Sequence, residues 1–255
     1  MFIKLLKYNI YNITKSNWIV FYSILNGLIT LMLMKSSDDL DKVVVSLTNI
    51  SLITVPLVSL IFSLIYFYSN RQYIEVLLTQ PIHRKSIFLS DYFSVSLSMS
   101  LAYAIGNVIP FAFYGYIYDK FIIFILAEIL ITFVFSSIGF FIGVNIDDRV
   151  VGMGVSLVLW FFLLVIFDSI IFYIIIFFSD YPIEKAIASI TFLNPIDTIR
   201  IYIFYNLGLS ELLGISGIIL SEFLQKYPFV PIIILFIWIF IFVMLTTIRF
   251  CKKDF

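Results

Sequence analysis

The chain has 255 residues, of which 62% are hydrophobic and only 13% are charged. A soluble domain carries about 25% charged residues, so this composition excludes a water-soluble surface and predicts an integral membrane protein. Lysine plus arginine equals aspartate plus glutamate, 16 each, and this balance gives no reason to expect nucleic acid as a partner. One cysteine, Cys251, excludes an internal disulfide and a paired-cysteine metal site.

Residues 1–17 have the pattern of an amphipathic helix lying on the membrane surface. Apolar side chains recur there at alternating steps of three and four, with polar side chains elsewhere around the helix. The alternative is a frayed N-terminal tail. The apolar positions are Ile3, Leu6, Ile10 and Ile13.

Six later segments are apolar over the length of about 20 residues that a membrane-spanning helix needs. No segment shows the alternation of a β-barrel strand. We therefore predict an all-α integral membrane protein with six transmembrane helices in a single domain over residues 1–255. The predicted spans are Trp18 to Met34, a segment within the charge-free stretch Val43 to Asn70, Tyr92 to Tyr118, Phe121 to Ile146, Val150 to Ser179 and Pro228 to Ile248.

The distribution of lysine and arginine predicts the orientation. With the N-terminus in the cytoplasm, ten of these residues fall on the inner side and six on the outer side. Three of the outer six lie in one long segment, where charge has little influence on topology. We therefore predict that both termini are cytoplasmic.

Residues 69–92 then form a cytoplasmic segment between spans two and three, and it includes the sequence EVLLTQPIHRKSIFLSDY. Pro81 ends its first helix, because proline lacks an N–H and crowds the preceding turn. A second short helix is expected to carry Phe88 and Tyr92 into span three. A few polar residues would suffice to connect two spans, so the helical hairpin is interpreted as a docking surface. The first helix presents one face through Tyr73, Val76, Leu77 and Gln80.

Residues 180–227 form the long outer segment. Its sequence contains the residues typical of a helix N-terminus. Asn194 is the predicted N-cap and Pro195 occupies the first turn. Asp197 lies near the positive end of the helix dipole, and Arg200 can pair with it across one turn. We expect two amphipathic helices here that rest on the outer membrane surface or dip partly into it.

Two carboxylates lie inside predicted spans, Glu128 in span four and Asp168 in span five. Such a group costs a few kcal/mol at the bilayer centre, so it faces a partner, a cavity or the interface. For each of them a packing contact or an interfacial position is one interpretation, and a place on a translocation path is the other. Neither residue is interpreted as catalytic.

No residue pattern predicts a metal site. His83 is the only histidine, and the adjacent Arg84 and Lys85 oppose binding of a divalent cation. Copper(I) prefers thiolate and thioether ligands, but Met32 and Met34 are the only methionines close together in the sequence and would face apart on a helix. His83 is interpreted as part of a solvated loop, and the two cations could contact a partner or anionic lipid headgroups.

The whole pattern resembles the ABC-2 type transporter permeases: an interfacial helix, six spans, a cytoplasmic coupling hairpin and an outer helical hairpin between spans five and six. Residues 193–201, LNPIDTIRI, resemble the N-P-x-D-x-x-R signature of the NosY-like subgroup, which contains the permease of nitrous oxide reductase maturation. The family's coupling segment reads E-x-L-L-x-x-P-[IV]-x-R, and the matching residues are Glu75, Leu77, Leu78, Pro81, Ile82 and Arg84.

This resemblance implies a permease subunit that pairs with a second copy and docks on a cytoplasmic ABC ATPase in the bacterial inner membrane. The partner would bind ATP and magnesium, and this chain would hold no cofactor of its own. The sequence contains no Gly-Lys dipeptide and hence no P-loop, in agreement with a separate ATPase. The subgroup implies a process of copper or sulfur supply, with a periplasmic accessory protein as a further partner.

Two other classes of function stay open. A secondary transporter or channel would work without an ATPase, but we find no internal repeat of the kind common in secondary transporters. An intramembrane metalloprotease needs several metal ligands, which one histidine cannot supply. The permease is therefore the predicted function, and the chain itself is predicted to be non-catalytic.

Overall fold

The computed structural model describes residues 2–37, 39–178, 184–210 and 223–253. These residues form helices joined by short connections, and no strand occurs among them. The helices are α1 (Phe2–Thr14), α2 (Asn17–Ser36), α3 (Leu40–Ser69), α4 (Arg71–Leu78), α5 (Arg84–Phe113), α6 (Asp119–Asn145), α7 (Arg149–Phe161), α8 (Phe167–Phe177), α9 (Glu184–Thr191), α10 (Pro195–Leu207) and α11 (Val230–Lys252).

Six of the helical segments are long and apolar enough to cross a membrane, which confirms the predicted all-α fold with six spans. They are α2, α3, α5, α6, the continuous segment Arg149–Phe177 and α11. The segment Arg149–Phe177 contains α7 and α8, joined by a π-helical turn at Phe162–Ile166. At 30 residues each, α3 and α5 are about 45 Å long and exceed the roughly 30 Å hydrocarbon core.

The N-terminal helix is present as predicted, but its buried face differs from the predicted apolar face. Leu5, Asn9 and Ile13 are buried against the bundle, whereas Ile3 is 76% exposed. A polar residue is tolerated on the buried face because the Nδ2 of Asn9 donates a 2.6 Å hydrogen bond to Oδ1 of Asp91 in α5. The two polar groups therefore fix α1 on span three.

Glycines allow the spans to approach closely. A Cβ at Gly139 in α6 would lie 2.5 Å from the Leu60 carbonyl oxygen of α3 and would overlap the Ser63 hydroxyl. A Cβ at Gly27 in α2 would lie 3.1 Å from the carbonyl oxygen of Gly106 in α5. Small residues have this function in membrane proteins, where dispersion contacts between helices replace the hydrophobic effect.

We expect Gly139→Ala to destabilise the protein by about 1–3 kcal/mol, because the added methyl group forces α3 and α6 apart. Gly154→Ala is the matched control, since a Cβ on that helical glycine meets no atom within 4 Å. The control should be neutral or slightly stabilising. Thermal unfolding in detergent measures both changes, and equal melting temperatures would contradict the packing argument.

One prediction about an element boundary was wrong. There is no separate short helix before span three, because α5 begins at Arg84 and runs without a break. Residues 84–92 contain no glycine or proline that would interrupt a helix. In the outer segment, α10 is largely buried and packs against α3, α6 and α11. Of the two positions expected for it, resting on the membrane surface or dipping partly into the membrane, this burial favours the second. The second predicted outer helix falls mostly on residues 211–222, outside the described residues.

Polar contacts collect at both ends of the bundle. At the end away from α1, the Lys120 Nζ lies 2.7 Å from Asp41 Oδ2 and 3.2 Å from the carbonyl oxygen of Leu207. At the other end, the start of α4, the α6–α7 connection and the end of α11 meet. The end that carries α1, α4 and the last residues of α11 is called the α4 end below.

Candidate functional site

Asn194, Pro195, Asp197 and Arg200, which were predicted to lie on the outer side, are called the outer motif below. This motif is held by the irregular π-helical turn in span five. In a π-helical turn the backbone bonds run from residue i to i+5, so the turn disturbs the regular α-helical pattern. The carbonyl oxygen of Leu163, within this turn, accepts a 2.7 Å hydrogen bond from Asn194 Nδ2. Asn194 is fully buried, and its Oδ1 also caps α10 by accepting from the Ile196 N–H at 3.1 Å. The predicted N-cap is therefore confirmed, with a second contact that the sequence did not indicate.

A charged cluster lies one turn further along α10. The Arg200 guanidinium contacts Asp197 Oδ1 at 3.2 Å, as predicted from their spacing. The same Nη1 atom contacts Oδ2 of Asp168 at 2.9 Å. The second oxygen of Asp197 accepts from Asn194 Nδ2 at 2.7 Å. Asp168, for which the sequence predicted no contact with this motif, therefore belongs to the same cluster as the outer motif.

The members of this cluster differ in their access to solvent. The Asp197 side chain is 4% exposed, whereas Arg200 is 26% and Asp168 is 39% exposed. A buried carboxylate is stable only with compensating charge and hydrogen bonds. Arg200 supplies the charge and Asn194 supplies the hydrogen bond. The cluster thus fixes α10 against α8, the second half of span five.

The predicted docking residues at the α4 end divide into two groups. Leu77 is buried and Leu78 and Ile82 are half-buried against the bundle, so these three hold the hairpin in place. Glu75 and Pro81 are exposed. Exposed positions that the motif did not single out lie beside them on α4 and its turn: Gln72, Val76, Thr79 and Gln80.

The Arg84 guanidinium is engaged within the chain. Its Nη1 donates to the carbonyl oxygens of Cys251 and Lys253, at 3.1 and 2.9 Å. The last carbonyls of a helix have no partner inside the helix, and Arg84 satisfies two oxygens at the end of α11. Arg84 therefore connects the start of span three to the end of span six.

A second connection at the α4 end is centred on Asp147, in the α6–α7 connection. Its Oδ1 lies 3.0 Å from Arg71 Nη1 and 2.8 Å from Lys253 Nζ. Arg71 opens α4 and also lies 3.7 Å from Glu75. The hydrogen bond from Lys253 lowers the pKa of Asp147, and the positive charges of Lys253 and Arg71 act in the same direction. Asp147 therefore stays ionised at neutral pH and joins α4, α6 and α11.

Glu128 is a packing contact rather than an interfacial residue. Its side chain is fully buried, so the interfacial interpretation was wrong. Oε1 accepts a 2.6 Å hydrogen bond from Ser51 Oγ in α3. Whether Glu128 also contributes to translocation stays a prediction.

The described residues hold no group of three or more His, Cys, Asp or Glu side chains that could bind a metal ion. His83 is exposed and precedes α5. Asn9 and Asp91, the buried pair that anchors α1, were not predicted from the sequence. Asp91 is the only charged residue between Lys85 and Asp119. An isolated charge in an apolar stretch is a signal that could have identified Asp91 as a buried contact residue.

Six spans, an exposed hairpin tied to the span ends and the largely buried α10 define a multi-pass membrane protein. A family model described as ABC-2 family transporter protein matches residues 32–255. The comparison with curated proteins gave no match. Because the family match covers most of its length, the chain belongs to the ABC-2 family of transporter proteins. Permeases of this family typically act together with a cytoplasmic ABC ATPase.

Proposed function

We propose that this chain is the permease subunit of an ATP-driven transporter and that α4 with its turn receives the movement of a separate cytoplasmic ATPase. Both termini are then cytoplasmic, and the protein lies in the bacterial inner membrane. ATP and magnesium are bound by the partner. The family match and the lack of a P-loop in the sequence support this division of work.

The proposal rests on one observation: the α4 hairpin has an exposed face and an opposite side that is bonded to the bundle. One face offers exposed side chains, including Glu75, Val76 and Pro81, to a partner. The other side is joined through Arg71 to Asp147, which in turn contacts Lys253 beyond α11. A displacement of α4 is therefore transmitted to the ends of spans four, five and six.

Val76→Asp should reduce co-purification of the ATPase by about tenfold, because it places an uncompensated charge in the contact. Val76 is 59% exposed, so the fold should not change. Ile117→Asp is the matched control, an apolar residue with 51% exposure in the connection at the opposite end. Quantitative mass spectrometry of the purified complex measures the ratio of subunits. An equal loss in both variants, or in neither, would contradict docking through α4.

We further propose a homodimer of permeases, with a periplasmic accessory protein, that serves copper or sulfur supply for nitrous oxide reductase maturation. The support is the likeness of residues 193–201 to the NosY-like signature. Copper would then be cargo handled mainly by the accessory protein. Deletion of the gene should leave nitrous oxide reductase without its copper–sulfur centre. A normally assembled reductase in the deletion strain would rule out a role in nitrous oxide reductase maturation. The proposal that the chain is a permease would not be affected.

A secondary transporter is the second candidate, and buried Glu128 is the observation that favours it. Carboxylates inside spans are characteristic of proton relays in such proteins. Transport by the purified chain in liposomes without ATP, abolished by Glu128→Gln, would support this candidate. Transport that requires the ATPase and ATP would support the permease.

A further inference from the structure

A cavity of about 410 Å³ opens between α1, the last turns of α3 and α4. It is separate from the exposed face of α4 and from the charged cluster around Arg200. Its volume lies within the range of about 300–1,000 Å³ that small-molecule sites occupy. Its polar lining includes Tyr8, Asn12, Tyr66, Ser69, Asn70 and Tyr73.

The polar groups of this lining are accessible from solvent and are not engaged by the protein itself. Within the part of the chain that the structure describes, none of these six side chains hydrogen-bonds to another residue. Amides and hydroxyls can both donate and accept. The lining therefore matches a ligand whose groups also do both, and hydroxyl groups are the simplest of these.

The cavity is also uncharged. None of the ten residues that line it is acidic or basic. The nearby Asp91 is only 3% exposed, and its carboxylate accepts a hydrogen bond from the lining residue Asn9, so it does not itself line the cavity. The rings of Tyr8 and Tyr73, with centroids 6.3 Å apart, lie side by side in the lining and can contact the C–H groups of a polyol.

The surroundings of the cavity indicate the membrane surface. Ile3 on α1 and Trp18 at the start of α2 are 76% and 70% exposed. Large apolar and tryptophan side chains occupy this position at the boundary between lipid and water. Lys7 and Lys15 are the chain neighbours of two lining residues, Tyr8 and Ser16, and basic residues at this depth attract lipid phosphate.

We propose that the cavity binds the glycerol headgroup of a phosphatidylglycerol-type lipid in the leaflet on the α1 side. The hydroxyls of the headgroup enter the uncharged cavity, and its phosphate stays outside near Lys7 and Lys15. If both termini are cytoplasmic, as in the proposed function, this is the inner leaflet. The site itself does not depend on that orientation or on an ATPase.

Native mass spectrometry of the full chain, titrated with single lipids, tests the proposal. Phosphatidylglycerol should bind about tenfold more tightly than phosphatidic acid, which carries the phosphate without the glycerol, since several hydrogen bonds are lost. Equal binding of the two would mean that only phosphate is recognised and would overturn the proposal. Free glycerol that competes at equal concentration would assign the site to a soluble polyol and would also overturn it.

The double variant Asn12→Ala/Tyr73→Phe should lower the preference for phosphatidylglycerol to about twofold, because it removes two of the polar groups. Both side chains lie in the lining and make no other hydrogen bond in the described part of the chain. Tyr116→Phe, 47% exposed at the opposite end, is the control and should keep the full preference. A double variant that folds with an unchanged melting temperature and keeps the preference would contradict the proposed site.

Discussion

Arg200→Ala is expected to destabilise the protein by about 3 kcal/mol, because it leaves the buried carboxylate of Asp197 without its cation. The loss also brings the carboxylates of Asp197 and Asp168 together without a positive charge between them. The membrane spans do not depend on this contact, so insertion should be unchanged. We expect α10 to leave its position and transport to be lost.

Thermal unfolding in detergent measures this effect, and Asp168→Asn is the matched control. The amide oxygen still accepts a hydrogen bond from Arg200, and Asp168 is 39% exposed, so the change should cost less than about 1 kcal/mol. The double variant Asp197→Asn/Arg200→Gln should recover part of the loss, because it removes the buried charge together with its partner. Equal destabilisation by Arg200→Ala and Asp168→Asn would show that the buried charge is not the cause.

Asp147→Ala is expected to separate ATP hydrolysis from transport while leaving the fold almost unchanged. It removes the group that Arg71 and Lys253 share. The Asp147 side chain is 66% exposed, and such surface pairs contribute about 0–1 kcal/mol each to stability. The path from α4 to the ends of spans four and six is nevertheless broken. We expect transport per ATP hydrolysed to fall about tenfold, the size of a coupling free energy of roughly 1.4 kcal/mol.

The measurement is transport and ATP hydrolysis by the reconstituted complex. Lys42→Ala is the control, since Lys42 also forms an exposed ion pair, with Asp39, but at the opposite end. Because the pKa of Asp147 is lowered, its contribution is complete above the ordinary aspartate pKa of about 4 and is lost only at lower pH. Normal transport by Asp147→Ala at pH 7 would contradict transmission through this residue.

The sequence predicted features that depend on near neighbours in the chain. The spans follow from hydropathy over about 20 residues. The start of α10 follows from Asn194 and Pro195, and the contact between Asp197 and Arg200 follows from a spacing of three residues. Each of these is decided within a few turns of one helix, where geometry is fixed.

Contacts between distant segments could not be predicted in the same way. Arg200 reaches Asp168 across 32 positions, and Arg84 reaches the end of α11 across more than 160 positions. Several partners were chemically acceptable for each of these cations, and only helix packing selects one. The extent to which α10 is buried was not predicted for the same reason, because its amphipathic pattern fits a membrane surface as well as a site between spans.

The π-helical turn makes the shape of span five depend on α10. Such a turn holds one residue more than an α-helical turn, and removing that residue would rotate the following helix by about 100°. Asp168 lies only two positions after the turn and would then point away from Arg200. Rewinding of the turn would also withdraw the Leu163 carbonyl from Asn194. Conversion of this turn to regular α-helix and release of the outer motif are therefore one event rather than two.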